Sequence, residues 1–289
     1  MNLPDRDHPV VILALLFALL APGLAMYQLG VQGSDYLLVH AVGVILLISG
    51  AYFVLGLADT GILGFVGVIA LCSWGARWLL PVLSIPLAAI LGGAATGLLV
   101  VFTRGLSKVV TLSASLVIAV LLLQAIPTAT PQAVTDLFEM GWLAAAALLA
   151  VLYFSRSTAA DALRLRLQND ERAAPVLLSV PVHDLQLLMA VVGGAVAAIG
   201  CAVLDHVGWS PLDQAETHAR LVTVLGVAVV IMVGGQQRLG HLLIVALPLM
   251  LLPAAARLLH PGMPDATLAI SMLGVALAVW LGKSRWVAR

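Results

Sequence analysis

The chain is a succession of long apolar runs separated by short polar stretches. A helix that crosses a lipid bilayer needs about 20 apolar residues, and the longest of these runs reach that length. Ten segments can be drawn: residues 9–28, 36–56, 61–76, 79–102, 109–126, 134–154, 182–204, 219–234, 239–258 and 265–282. The runs do not alternate between polar and apolar residues, which disfavours strands. We predict an all-α polytopic membrane protein with one transmembrane domain over residues 1–289 and about ten transmembrane helices.

The composition supports a lipid environment for this chain. Hydrophobic residues make up 62% of the sequence and charged residues 10%, whereas soluble domains carry about 25% charged residues. Too few polar residues remain to cover a water-facing globule. The formal net charge is +0, so no nucleic-acid partner is expected, and the lipid bilayer is the predicted surrounding.

The basic residues predict the orientation. With ten spans and both termini cytoplasmic, most basic residues fall on the inner side, as the positive-inside rule requires. The inner set is Arg6, Arg104, Lys108, Arg156, Arg164, Arg166, Arg172, Arg238, Lys283, Arg285 and Arg289. The outer set is Arg77, Arg220 and Arg257.

The third and eighth segments, 61–76 and 219–234, are short and rich in glycine. Non-helical backbone at membrane depth is tolerated where protein surrounds it. We therefore expect either segment to be a broken or re-entrant helix.

The longest polar interval of the chain is residues 155–184, predicted to be a cytoplasmic loop because of its arginines. Asn169 suits a helix N-cap, Asp170 and Glu171 suit the first turn, and Ala173 and Ala174 favour helix. A short helix here is a docking element for a soluble partner. The alternative interpretation is a plain connector between two spans.

A second polar loop, residues 205–218, is predicted on the outer side. Ser210 followed by Pro211 resembles the start of a short helix. This loop either docks an extracytoplasmic protein or forms a lid between two spans. The residues assigned to the docking interpretation are Asp205, Trp209, Asp213 and Glu216.

The sequence offers no pattern typical of a catalytic, metal or cofactor site. Ionisable residues such as Asp59, Arg77 and Asp184 fall near predicted span ends, which argues against a proton relay. Gly282-Lys283-Ser284 lacks the earlier glycine of a phosphate-binding loop, because Leu277 stands there. We expect no enzyme activity and no cofactor or metal bound by this chain.

Four stretches resemble the larger permease subunit of ATP-binding-cassette importers of the branched-chain amino acid type. Gly61–Gly64, followed by Gly67–Ala70 and Gly75-Ala76, resembles the glycine-rich run at that family's third span. Arg104-Gly105, followed by Thr111-Leu112, resembles a second motif of that family, an R-G pair followed by an apolar stretch and T-L.

The loop carries the third match. Ala162–Arg164 and Asp170–Ala174 resemble the family's A-L-R-A-I-R-D-N-E-x-A-A-R stretch, although Pro175 departs from it. The fourth match is Gly208–Pro211 followed by Val233–Gly235.

The resemblance implies a multi-pass permease of the bacterial inner membrane. Its partners would be a second permease subunit, two ATPase subunits that use ATP, and an extracytoplasmic solute-binding protein. The ATPase-coupling residues would be Asn169, Asp170, Glu171, Arg172, Ala173 and Ala174. A weakly binding translocation pathway would be lined by Gly64, Gly67, Thr111, Ser113 and Ser115.

The solute stays open at this point. Branched-chain amino acids are the family default, and other amino acids, amides or urea are alternatives. The rival functions are a secondary transporter and a non-transporting membrane scaffold, with an intramembrane enzyme a distant third.

Overall fold

The computed structural model describes residue 28, residues 34–126, 137–167, 181–207 and 239–246, and the single positions 220, 223, 226, 227, 230, 231 and 250. Within those residues every regular element is a helix. The helices are α1 (Ser34–Ala51), α2 (Phe65–Leu79), α3 (Ser84–Phe102), α4 (Lys108–Ala125), α5 (Leu137–Ser155), α6 (Thr158–Leu167), α7 (Val182–Val207) and α8 (Leu239–Ala246). A π-helical turn, Tyr52–Leu57, continues α1, and a 3₁₀ turn, Pro81–Leu83, precedes α3.

Three stretches are long and apolar enough to cross a membrane: Leu37–Leu57, Ser84–Phe102 and Val182–His206. Helices α5 and α6 form a broken pair bent by 58°. Phe65–Leu79 is shorter, and its 15 residues extend only about 22 Å, less than the thickness of a bilayer core of about 30 Å. The third predicted segment, 61–76, is thus short as expected but continuous from Phe65 onward, and the non-helical backbone lies at its start and before it.

Six of the ten predicted segments, 36–56 to 182–204, coincide with α1 to α5 and α7. Segments 9–28 and 265–282 lie almost wholly outside the described residues, and the remaining two are described only in part. The predicted loop 155–184 contains a helix, α6, that the sequence analysis did not place. Helix α7 also extends to Val207, into the predicted outer loop.

Helix α7 lies antiparallel to α1. A side chain at Gly43 would meet Leu204 and Gly200, while one at Gly50 would meet Ala197 and Gly193. The two backbones touch at Gly50 and Gly193, where a Cβ added to Gly193 would lie 2.6 Å from the Gly50 carbonyl oxygen. Helices in lipid often pack with their backbones this close. The hydrophobic effect does not drive their association there, and small residues at the contact allow close van der Waals packing.

Helix α3 packs on another side of α7, also antiparallel. Gly92 faces Ala198 and Gly194, and Gly97 faces Val191. The core of the described part is therefore α7 between α1 and α3, with α2 returning beside them. Its two ends are distinct. One end holds the π-helical turn and the start of α7, and the other holds the end of α2 and the end of α7.

Candidate functional site

The helix interruption between α1 and α2, residues 52–64, is the most irregular part of the described core. Tyr52–Leu57 form a π-helical turn whose six residues are all buried. The chain then leaves helical geometry, with positive φ at Asp59 (52°) and at Gly61 (67°). Left-handed backbone is tolerated by aspartate and glycine better than by other residues. π-helical turns and broken helices recur at functional positions in proteins.

Side chains satisfy the backbone groups that the interruption releases. The Thr60 hydroxyl donates to the Val54 carbonyl oxygen at 2.9 Å. The Gln186 amide, at the start of α7, donates to the Ala58 carbonyl oxygen at 3.0 Å. Unsatisfied backbone groups are costly away from water, so these bonds allow a break inside an apolar bundle.

The beginning of α2 rests on α4 through Ser115. The Gly64 N–H donates to the Ser115 hydroxyl oxygen at 3.0 Å, in buried surroundings. A side chain at Gly64 would collide with the Ser115 backbone, and one at Gly67 would lie 2.6 Å from the Ala119 Cα. Glycine is therefore required at both positions by the closeness of α4.

Three of the five predicted pathway residues, Gly64, Gly67 and Ser115, meet in this contact. Thr111 lies one turn before Ser115 on α4 and is buried, with its hydroxyl donating to the Ser107 carbonyl oxygen at 3.1 Å. Ser113 is exposed, and its hydroxyl donates to the Val110 carbonyl oxygen. The contact between α2 and α4 is tightly packed, so Gly64, Gly67 and Ser115 form a junction between the two helices in this conformation.

The first helix of the polar loop docks on the interruption. Ser157 caps α6, because its hydroxyl accepts a bond from the Ala160 N–H at 3.2 Å. The next turn buries Ala160 and Leu163. On the neighbouring face, the Arg164 guanidinium donates to the Tyr52 hydroxyl through Nη2 at 2.9 Å and through Nε at 3.3 Å.

Arg164 also pairs with Asp161, with Nη1 and Oδ1 2.9 Å apart. Because Tyr52 is fully buried, the guanidinium reaches into the core from a helix that belongs to the polar loop. A displacement of α6 therefore acts directly on the π-helical turn.

The predicted ATPase-coupling residues, Asn169 to Ala174, lie outside the described residues. So do Trp209, Asp213 and Glu216 of the predicted outer docking set. Asp205 is described, and it lies inside α7 with 6% of its surface exposed. A docking contact needs an exposed side chain, so Asp205 does not contribute to an outer docking surface in this conformation.

Asp205 instead joins several helices at the end opposite the interruption. Its Oδ2 accepts a hydrogen bond from the Ser73 hydroxyl at 2.8 Å, and its carbonyl oxygen accepts one from Arg77 Nη1 at 2.8 Å. Its Oδ1 lies 3.8 Å from Arg220 Nη2. Arg220 is 1% exposed and also donates through Nη1 to the Ile126 carbonyl oxygen at 3.2 Å.

The buried cluster of Ser73, Arg77, Asp205 and Arg220 was not predicted from the sequence. Hydropathy places these charges near the ends of spans along the chain, and it does not show that they meet in space. The available signal was that Arg77 and Arg220 are two of the three basic residues predicted on the outer side, with Asp205 beside them in that topology.

Comparisons with models of protein families, with curated proteins and with solved structures find no match to this chain. The described part of the molecule defines an α-helical protein with three stretches able to cross a membrane by length and composition.

Proposed function

We propose that this chain is the permease subunit of an ATP-binding-cassette importer in a bacterial inner membrane. Its solutes are branched-chain amino acids or similar small polar molecules. It pairs with a second permease, two ATPase subunits that hydrolyse ATP, and an extracytoplasmic binding protein. The family resemblance of the glycine-rich run, the Arg104-Gly105 motif and the polar loop supports this proposal.

One observation carries the proposal furthest: the Arg164 guanidinium of α6 bonds to the hydroxyl of the buried Tyr52 in the π-helical turn. A permease driven by a separate motor protein needs a cytosolic element that is joined to a deformable part of its transmembrane core. Helix α6 ends at Leu167, two residues before the predicted coupling segment begins at Asn169.

The mechanism follows from this connection. Closure of the ATPases pushes on Asn169–Ala174, and α6 transmits the displacement to Tyr52. The interruption absorbs the movement, because its backbone is held by isolated turn bonds and by side-chain hydrogen bonds, such as that from Gln186, and not by a continuous helical ladder. Helix α2 then shifts against α4 at Gly64 and Ser115. This movement opens the solute route at one end of the core and closes it at the other.

The test is association with the motor. The full chain is expressed in the organism from which it comes, so that its natural partners are present, and is purified in mild detergent. Bound ATPase subunits are then measured by ATP hydrolysis and mass spectrometry. We expect Ala174→Glu to lower the amount of bound ATPase at least tenfold, because a bulky acid blocks a small docking face. The same loss is expected in solute uptake.

The matched control is Thr158→Glu, which adds the same charge to the same polar loop. Thr158 is exposed in the first turn of α6, where a negative charge is compatible with the helix dipole. This variant should bind the ATPase normally. Full ATPase binding and full uptake in A174E, or purification of the wild-type chain with no ATPase at all, would contradict the proposal.

A secondary transporter is the second candidate, and the buried carboxylate of Asp205 favours it. Asp205 faces Ser73 and Arg220 in the interior, and buried acidic groups are typical of ion-coupled and proton-coupled transporters. Uptake that continues without ATP but stops when the proton or sodium gradient is collapsed would select this candidate.

A further inference from the structure

The buried cluster at the Asp205 end holds together parts of the chain that are far apart in sequence. Ser73 and Arg77 come from α2, Asp205 comes from α7, and Arg220 lies in a helical stretch further along. Arg220 also donates to the carbonyl oxygen of Ile126, the residue that directly follows α4. No two of these elements can separate at this end without breaking a polar contact made by Asp205 or Arg220.

We propose that Asp205 and Arg220 form a latch that keeps this end of the molecule closed. The latch rests on the proposed permease function in one respect: it would be the gate at the outer end of the route. The chemistry of the pair suits a contact that opens and closes. Two buried charges regain their hydration when water enters, so the open state is not penalised as it would be for exposed apolar groups.

A purely structural role explains the pair less well. Buried ion pairs can often be replaced by apolar residues of similar size without loss of stability. The cluster also contrasts with the middle of α7, where glycines and alanines bring this helix into direct contact with α1. The buried pair of opposite charges lies at the end that must admit solute if the chain is a permease.

The native cysteines provide a reporter of opening. Cys201 lies one helical turn before Asp205 on α7 and is buried, while Cys72 directly precedes Ser73 on α2. These are the two cysteines of the chain, so the Cys72→Ala variant leaves Cys201 as its single thiol. Labelling of Cys201 by a charged maleimide, in purified protein reconstituted in lipid nanodiscs, then measures how often this end opens.

We expect Asp205→Asn in the C72A background to raise the labelling rate of Cys201 about tenfold, which corresponds to a shift of about 1.4 kcal/mol toward the open state. The substitution keeps the size of the side chain and an acceptor for Ser73 but removes the negative charge that faces Arg220. Asp184→Asn, the same substitution at an exposed position at the other end of α7, should leave the rate unchanged.

General unfolding is separated from latch opening by a second thiol. Leu163→Cys, placed in a C72A/C201A background, puts a buried cysteine in α6 at the other end. With the latch, D205N raises labelling at Cys201 and leaves labelling at L163C unchanged. An unchanged Cys201 rate, or an equal rise at both positions, would overturn the latch.

If D205N does not give folded protein, Ser73→Ala decides in the same way. It retains both charges and the bond from Arg77 to the Asp205 carbonyl oxygen, and removes only the hydrogen bond from the Ser73 hydroxyl to the Asp205 carboxylate. We expect about a threefold rise at Cys201 alone, in proportion to one lost hydrogen bond. No rise at Cys201, or an equal rise at L163C, overturns the latch. The labelling requires neither solute nor ATPase, so its result is independent of whether a motor protein binds.

Discussion

At the scale of single residues, two serines of α4 show how much depends on what a hydroxyl faces. Ser113 and Ser115 both donate to a carbonyl of the preceding turn, which is the usual habit of serine within helices. Ser113 is otherwise exposed. Ser115 additionally accepts the Gly64 N–H of another helix, so its oxygen replaces the partner that this backbone group has lost at the interruption.

We therefore expect Ser115→Ala to lower the free energy of unfolding by about 1 kcal/mol, because it leaves a buried N–H without an acceptor. Ser113→Ala, on the same helix, should change it by less than about 0.5 kcal/mol. Thermal unfolding of both purified variants in detergent provides the measurement. Equal stabilities for the two variants would mean that the Gly64–Ser115 bond contributes nothing.

At this scale the sequence predicts types of residue better than their partners. The mild polar groups on α4 could be predicted because serine and threonine stand out in an apolar run. Their distinct roles could not, since Ser115 meets a residue 51 positions earlier and Asp205 meets Ser73 from 132 positions away. Such pairs are decided by how helices pack, and hydropathy contains no information about register between helices.

At the scale of elements, the contact between α1 and α7 depends on the absence of side chains at its centre. A Cβ at Gly50 would lie 2.6 Å from both the Cβ and the backbone nitrogen of Ala197. Backbone atoms cannot move aside as the end of a long side chain can, so the helices must separate. Gly75 on α2 is the useful contrast, because nothing in the described part of the chain lies within 4 Å of the position its Cβ would take.

We expect Gly50→Ala to destabilise the protein by about 2–3 kcal/mol through overpacking. Gly75→Ala should be neutral or stabilise it by up to about 1 kcal/mol, because alanine is the better helix former. The two midpoints of thermal unfolding, compared with the wild type in one detergent, measure the difference. A stability of G50A equal to that of G75A would contradict the close contact described for α1 and α7.

The positions of most of the described helices could be predicted from the sequence. Apolar runs predicted six described helices, and the shortness of segment 61–76 with its glycines predicted a short or broken helix there. The position of the interruption, residues 52–64, was not predicted, because segment 36–56 was expected to be a continuous span. The π-helical turn at Tyr52–Leu57 was not predicted, because its residues are apolar and fit a continuous helix. Helix α6 was missed since its polar composition resembles a loop, and Ser157 as its N-cap is the signal that was available.

At the scale of the whole molecule, the distribution of basic residues in the sequence and the packing of the described helices place the same residues at each end of the core. The antiparallel contacts bring Arg164 and the α3–α4 connection with Arg104 to one end, where the positive-inside rule places the cytoplasm. They bring Arg77 and Arg220 to the other end, around Asp205. The proposed latch and α6, the helix proposed to transmit the movement of a motor protein, thus lie at opposite ends of the same core, which is the arrangement that alternating access needs.

This arrangement predicts which side of the membrane each end faces. Leu83, in the 3₁₀ turn before α3, is 57% exposed near the Asp205 end, and Thr158 is exposed at the start of α6 near the other. In a C72A/C201A background, Leu83→Cys should react with a membrane-impermeant maleimide in intact cells with a permeable outer envelope. Thr158→Cys should react only after the inner membrane is broken. Reaction of both cysteines from the same side would mean that the two ends do not face opposite compartments, and neither an outer latch nor a cytosolic motor contact would then be compatible with this fold.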